Sequence, residues 1–215
     1  NHYEQGLRIV DHLENNGDGL NLTWEVRDGI AKHSKGKRGA PVGADLSNRA
    51  AALEGQVARV ADIIAYVNHD IDDAIRASIL CMDDLPTEAV DLLGHSSSER
   101  IGRLVSNTIR ETMAAGLDEI RMSDNVLEAL LSLRAFLFET VYEDSLATIE
   151  FQKAAGILGG LWEKIHEDPE EFLDRKVIKS DGVDVAAMDF LAGMTDRFAI
   201  NLYESLFIPK PWVET

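Results

Sequence analysis

A stretch with carboxylate, imidazole and phenol side chains at helical spacing contains the residue types best suited to chemistry. Asp62, Tyr66 and Asp70 are four residues apart, so on a helix they lie on successive turns of one face, and His69 lies beside them. A carboxylate can bind a divalent metal ion, a phenol can donate a hydrogen bond to phosphate or sugar, and a second carboxylate can accept one from a sugar hydroxyl. These four residues are therefore candidates for a ligand-binding face.

The helix that carries these residues is predicted by its apolar spacing. Five aliphatic residues recur at three- and four-residue steps: Val57, Val60, Ile64, Val67 and Ile71. This spacing is typical of the buried face of an amphipathic helix. The opposite face is rich in aspartate, which is a poor helix former, and it has no Lys or Arg between Arg59 and Arg76. On spacing alone, a solvated acidic helix face is the alternative interpretation.

A second helix, predicted from Asp124 to about Glu143, is apolar nearly all round, which is typical of a buried helix. Arg134 lies in this helix, and a buried arginine needs an anionic partner. Either Glu139 or an aspartate of the helix that carries Asp62 forms a structural ion pair with Arg134, or a triphosphate binds to the guanidinium in a bidentate manner. Both alternatives remain open at this point.

The composition excludes some classes of function. The net charge of −17 argues against non-specific nucleic-acid binding, which depends on Lys and Arg, but it permits a small anionic substrate that is faced by local cations or a metal. The single cysteine, Cys81, allows no internal disulfide and fits a reducing cytoplasm. No apolar run has transmembrane length, so we expect a cytoplasmic protein with no membrane partner.

Helical patterns cover nearly the whole chain, and the fold class is predicted to be all-α. Ser123 is a predicted N-cap, and Val177–Lys179 is a weak strand candidate. Residues 34–41 form a basic, glycine-rich stretch that is either a solvated loop or a loop that faces phosphate or another subunit. There is no glycine-rich nucleotide fingerprint and no alternating strand–helix pattern.

The site helix also resembles a known family. The resemblance rests on three sequence segments: Leu53-Glu54-Gly55-Gln56, Ala61-Asp62 followed by Ile64-Ala65-Tyr66, and His69-Asp70-Ile71-Asp72-Asp73-Ala74. Together they are similar to the C-terminal metal-ligand helix of HD-domain phosphohydrolases of the deoxyguanosinetriphosphate triphosphohydrolase branch. The resemblance implies an HD-domain-like helical bundle with a C-terminal helical extension. Residues 1–82 would complete the catalytic core, and residues 83–215 would pack on the core and contribute substrate contacts.

The resemblance also implies roles for individual residues. Asp62 matches the last metal ligand of the family, and Tyr66 and Asp70 match positions that contact the nucleotide, with the acid near the deoxyribose. Arg134 matches a phosphate-binding arginine. Tyr142 matches a tyrosine that stacks on the base or sugar.

Two histidines complete the implied site. The segment from His2 to Val10 resembles the family segment that follows the catalytic histidines, so His2 would face the phosphates, and His69 is a further candidate. The first His and the His-Asp pair of the family would precede residue 1. We therefore expect this chain to be the C-terminal, larger portion of a longer protein, with an incomplete metal site when taken alone.

The implied activity is metal-dependent hydrolysis of a dGTP-like deoxynucleoside triphosphate to deoxynucleoside and tripolyphosphate. The cofactor would be a divalent metal, either Mg, Mn or another transition metal, and the protein would form a homo-oligomer. One alternative is an HD-family phosphohydrolase acting on another nucleotide. The other is a non-catalytic helical fragment that mediates assembly. The base preference is not readable from the sequence.

Overall fold

The prediction of an all-α fold is confirmed by a computed structural model, which describes residues 2–33, 49–141, 145–210 and 212. Within these ranges there is no β-strand. The helices are α1 (His2–Arg8), α2 (Trp24–Lys32), α3 (Leu53–Arg76), α4 (Thr87–Leu93), α5 (Ser97–Ala114), α6 (Asp124–Thr140), α7 (Ser145–Glu167), α8 (Pro169–Phe172), α9 (Arg175–Asp181), α10 (Val183–Ala192) and α11 (Asp196–Phe207). A π-helical turn, Ile9–Leu13, continues α1. The basic stretch at residues 34–41 lies outside the described residues.

The chain divides into two compact units, Asn1–Tyr142 and Glu143–Thr215. The first unit contains α1 to α6 and the second contains α7 to α11. The functional division predicted at residue 82 concerns which segment completes a catalytic core, and it stays a prediction.

Helix α3 is the central element of the first unit and packs against α2, α5 and α6. Its apolar face is buried as predicted, with Val60, Ile64, Val67 and Ile71 all inside the core. Val57 is the exception, because half of its surface is exposed. Helix α6 contributes a second set of buried residues: Val126, Ala129, Leu130, Leu133 and Leu137. Burial of these aliphatic side chains fixes which face of α3 points outward.

Two glycines allow α2 to cross α3 at very close range. A Cβ atom on Gly29 would lie 3.2 Å from the Cα atom of Gly55. A Cβ on Gly55 would lie 3.0 Å from the Cα of Gly29 and 2.7 Å from the Cβ of Ala50. Real Cβ atoms are not found at the last of these distances, so Ala50 requires a glycine at position 55, and the helix crossing itself leaves only a tight fit for a side chain there. The crossing brings α2 alongside the first turns of the candidate site helix.

A side chain caps the N-terminus of α5, whereas the side-chain cap predicted for α6 at Ser123 is not formed. Ser96 and Glu99 form a capping box at the start of α5, where the Ser96 hydroxyl accepts from the Glu99 N–H at 3.3 Å and the Glu99 carboxylate accepts from the Ser96 N–H at 3.0 Å. Ser123 does occupy the N-cap position of α6, but its side chain makes no capping bond. Instead its hydroxyl accepts from Asn107 Nδ2 at 2.9 Å, so a contact with α5 replaces the predicted cap.

The second unit has its own small core, in which Ile165 on α7, Leu173, and Ala186 and Ala187 on α10 are buried. The strand candidate Val177–Lys179 is wrong, because these residues form part of helix α9. Val177 and Ile178 pack against the core from this helix. In the part of the chain that the structure describes, none of the helices has the length and apolarity that a membrane crossing needs.

Candidate functional site

The outward face of α3 carries the predicted ligand-binding residues. Asp62 is exposed, Tyr66 and Asp70 are half-buried, and His69 is exposed. The ring of Tyr66 packs against the apolar core, so its hydroxyl is the part of the side chain available to polar partners. The acidic face is therefore not merely solvated, because its central member is anchored in the protein.

A hydrogen bond joins Tyr66 to Arg134, although the two residues are 68 positions apart in the chain. The Nε–H of Arg134, which is half-buried on α6, donates to the Tyr66 hydroxyl. The Arg134 guanidinium also lies over the Phe138 ring, with its Cζ atom 5.0 Å from the ring centroid. The arginine side chain is thus held between a phenol and an aromatic face, at the surface where α6 meets α3.

Burial keeps the phenol of Tyr66 neutral near pH 7. Burial raises the pKa of Tyr66 above its ordinary value, and the carboxylates of Asp62 and Asp70 act in the same direction, whereas the charge of Arg134 acts against it. A neutral phenol can accept one hydrogen bond and donate its own proton to another group. Because Arg134 donates to its oxygen, the Tyr66 O–H is suited to donate to a ligand acceptor. The same interactions show that Asp62, Asp70 and Arg134 share one electrostatic environment.

Asp62 also lines a groove along α2 and α3 with a volume of about 1000 Å³. Its polar lining residues are Glu25 and His33 from the α2 side and Glu54 and Asp62 from α3. The groove is large enough for a nucleotide-sized ligand. Sequence reasoning did not identify His33 or the two glutamates. The signal that could have found His33 is its position at the end of a helix, directly before the basic stretch at residues 34–41.

His2 lies at the start of α1 and is exposed. Its ring is packed edge-on against that of His33, with centroids 5.2 Å apart, and against that of Tyr3, with centroids 5.5 Å apart. His33 thus connects His2 to the groove that Asp62 lines. Tyr142 lies outside the described residues, so its predicted role stays a prediction.

The opposite side of the site helix is held by a buried arginine that the sequence did not single out. Arg100 on α5 is fully buried, and its Nε–H donates to Asn68 Oδ1 at 2.8 Å. Its Nη1 donates to the His95 carbonyl at 3.1 Å, and its Nη2 lies 3.5 Å from Asp72 Oδ1. Burial lowers the pKa of Arg100, and the charges of Asp72 and Glu99 oppose this shift. This network fixes the turn of α3 that carries His69 and Asp70.

The side chains around Asp62 supply part of a metal-binding set. Over residues 2–33, 49–141 and 145–210, no three His, Cys, Asp or Glu side chains are grouped so that they could hold a metal. The exposed carboxylate of Asp62 at the groove fits the role of a single oxygen ligand, which is the role that the resemblance implies. These residues therefore fit one member of a ligand set.

The chain is similar in sequence to a family model and to several known proteins. The model of the Phosphohydrolase-associated domain matches residues 120–205. Three similar proteins are each named deoxyguanosinetriphosphate triphosphohydrolase-like protein. The protein from Caldanaerobacter subterraneus subsp. tengcongensis is 42% identical, and the match covers 99% of this chain and 60% of the relative. The protein from Clostridium perfringens strain 13 is 40% identical, and the match covers 97% of this chain and 60% of the relative. The protein from Caulobacter vibrioides is 33% identical, and the match covers 98% of this chain and 67% of the relative. The chain thus spans about three fifths of the first two relatives and two thirds of the third.

Proposed function

Because the chain belongs to the HD-domain family of deoxyguanosinetriphosphate triphosphohydrolase-like proteins, we propose that it forms part of a metal-dependent triphosphohydrolase. The proposed substrate is a dGTP-like deoxynucleoside triphosphate, and the products are the deoxynucleoside and tripolyphosphate. The observation that carries the proposal is the contact between Arg134 and Tyr66. It joins two separate helices at the face that contains Asp62 and Asp70, and it unites a cation, a phenol and acids.

Each residue has a role that follows from its chemistry. Asp62 would hold a divalent metal such as Mg or Mn together with further ligands that the described residues do not group beside it. When bound, such a metal polarises phosphate oxygens and makes water a better nucleophile. Tyr66 donates its phenolic proton to the phosphate or sugar, and Asp70 accepts a hydrogen bond from the deoxyribose hydroxyl.

Arg134 binds the phosphate chain in this proposal. A guanidinium has five N–H donors, and the Tyr66 oxygen takes the one on Nε. The two terminal nitrogens of a guanidinium match the spacing of phosphate oxygens. The interaction with Tyr66 fixes the plane of the guanidinium, so phosphate would meet a pre-oriented group and lose less entropy on binding.

His2 faces the phosphates and neutralises developing charge in the proposed site, with Tyr142 against the base or sugar and His69 as a further contact. We propose in addition that the complete protein is cytoplasmic and forms a homo-oligomer.

The direct test incubates the complete protein with Mn²⁺ or Mg²⁺ and each dNTP and follows the products by phosphorus NMR. Tripolyphosphate with deoxynucleoside would support the proposal and give the base preference at once. Orthophosphate or pyrophosphate as the product would replace it with another phosphohydrolase activity. No turnover, with or without a second activating nucleotide, would favour the non-catalytic interpretation.

The matched variants are Asp62→Asn and Asp73→Asn, which remove one carboxylate each from the same helix. Asp62→Asn is expected to abolish metal-dependent turnover, because it removes a ligand charge. Asp73 is exposed and paired with Arg76, so Asp73→Asn is expected to retain activity. Full activity in Asp62→Asn would remove Asp62 from the site.

A further inference from the structure

Among the described residues that line the groove, most are apolar, and His33 is the basic side chain. Three of the groove's described lining residues are acids, namely Glu25, Glu54 and Asp62, and His33 is the one base among them. Carboxylates repel a strongly anionic triphosphate, so its binding in the groove requires positive or hydrogen-bond-donating groups. His33 is placed to be such a group.

The orientation of the His33 ring is fixed by the backbone. Its Nδ1 lies 2.7 Å from the Ile30 carbonyl oxygen, and a carbonyl can only accept, so Nδ1 carries a proton and donates it. The ring nitrogen Nε2 is then the one that a ligand can use. The His2 ring packs against the His33 ring at an interplanar angle of 74°, which further restricts the imidazole. The group is therefore pre-organised rather than a mobile surface histidine.

Building on the proposed function, we propose that His33 is a substrate-binding residue whose Nε2 contacts the phosphate chain beside His2. When both ring nitrogens carry a proton, the Nε2–H can donate a charge-assisted hydrogen bond to an anionic oxygen. The bond from Nδ1 to Ile30 keeps Nε2 directed at the ligand in both protonation states.

The kinetic test compares two replacements in the complete protein with dGTP. In His33→Asn, the side-chain amide can still donate to the Ile30 carbonyl but has nothing at the Nε2 position. In His33→Gln, the longer amide can reach the Nε2 position. His33→Asn is expected to raise KM about tenfold with little change in kcat, because it removes a ground-state contact, and His33→Gln is expected to recover part of this loss. The control is His12→Asn, at an exposed histidine outside the groove. A KM for His33→Asn equal to that of the wild type would overturn the proposal.

A binding measurement separates this inference from the activity on which it rests. Inorganic tripolyphosphate is titrated into protein labelled with ¹⁵N in histidine. The Nε2 resonance of His33 is expected to shift while Nδ1 keeps its proton, and His33→Asn is expected to lose about tenfold in tripolyphosphate affinity by calorimetry. If wild-type protein makes no tripolyphosphate from dNTPs but Nε2 still shifts, the proposed function fails and the assignment of His33 stands. If turnover is normal and neither Nε2 nor the affinity changes, the assignment of His33 fails alone.

Discussion

Two arginines on different neighbouring helices contact helix α3, and they differ in burial and in their hydrogen-bond partners. Arg100 comes from α5, is fully buried, and binds Asn68 and the His95 carbonyl as well as Asp72. Arg134 comes from α6, is half-buried, and contacts the Tyr66 hydroxyl and the Phe138 ring.

We interpret this difference as one between a structural role for Arg100 and the proposed ligand-binding role for Arg134. Solvent and ligands cannot reach Arg100, so its hydrogen bonds can serve only to hold α3 against α5. Arg134 lies at the surface beside Asp62 and Asp70, where a ligand can reach its guanidinium. One face of α3 is thus fixed by a buried cation, and the other presents a cation next to acids and a phenol. We infer that rigidity on the first face supports precise geometry on the second.

The largest expected effect is on stability and comes from Arg100→Met. This change leaves Asn68 Oδ1 and the His95 carbonyl without their donor and leaves Asp72 without its counter-charge. A hydrogen bond to a charged group is typically worth about 1.5–3 kcal/mol, and Arg100 makes two of them, so a loss of about 3 kcal/mol or more is expected. The free energy of unfolding in urea measures this loss. Arg76→Met is the control, because the exposed Arg76 is expected to contribute less than about 1 kcal/mol. Similar losses in the two variants would contradict a structural role for Arg100.

The next effect is on catalysis and comes from Arg134→Lys. Lysine keeps the charge but cannot bind the Tyr66 oxygen and two phosphate oxygens in one plane. We expect kcat/KM for the dNTP to fall about 100-fold, as for loss of a transition-state donor, while the free energy of unfolding changes by less than about 1 kcal/mol. Arg100→Lys is the matched variant and is expected to show the reverse pattern. If Arg134→Lys is destabilised with unchanged kinetics, the distinction between the two arginines is wrong.

A smaller effect is expected from Tyr66→Phe, which keeps the packed ring and removes the hydroxyl. The variant loses the Arg134 acceptor and the proposed donor to the ligand, so kcat/KM is expected to fall about tenfold. The raised pKa of Tyr66 keeps the phenol neutral in wild-type protein from pH 6 to 9. The ratio of wild-type to variant kcat/KM is therefore expected to stay constant over that range. A ratio that changes with pH would show that the phenol ionises there.

The features that the sequence predicted are those encoded locally. The apolar period of α3 is a property of one segment, so its buried face and its acidic face were both predicted before the structure. The roles of Asp62, Tyr66 and Arg134 came from resemblance. A partner for Arg134 on the site helix was one of the alternatives open from the sequence, but the sequence did not indicate that Tyr66 would be that partner.

The features that the sequence did not predict depend on contacts between distant segments. The burial of Arg100 depends on Asn68, which is 32 residues away. The close approach of Gly29 to Gly55 exists only because two helices cross there. Ser123 shows the same limit, since its local cap is replaced by Asn107, which is 16 residues away. These three features are set by residues that are distant in the chain, so sequence rules that consider only neighbouring residues do not predict them.

The smallest expected effect concerns a cation in the second unit and extends the comparison to an exposed structural pair. His166 Nδ1 lies 2.8 Å from the Trp162 carbonyl oxygen, and its Nε2 lies 2.9 Å from Asp184 Oδ1. Because both nitrogens face acceptors, the carbonyl first and then Asp184 raise the pKa of His166. A group whose pKa is raised on folding adds stability that is fully present below its unfolded pKa, about 6.5, and is lost as pH rises through the folded value.

The test of this last pair is Asp184→Asn, which keeps an acceptor oxygen but removes the charge. We expect the pKa of His166, followed by NMR, to fall in the variant, and its Tm to be slightly below that of the wild type at pH 5.5 and equal to it at pH 9. The effect stays small because Asp184 is largely exposed and water screens the pair. Asp196→Asn, at an exposed acid of α11, is the control. A loss of stability in Asp184→Asn as large as the loss in Arg100→Met would show that burial does not decide how much Arg100 and His166 stabilise the protein.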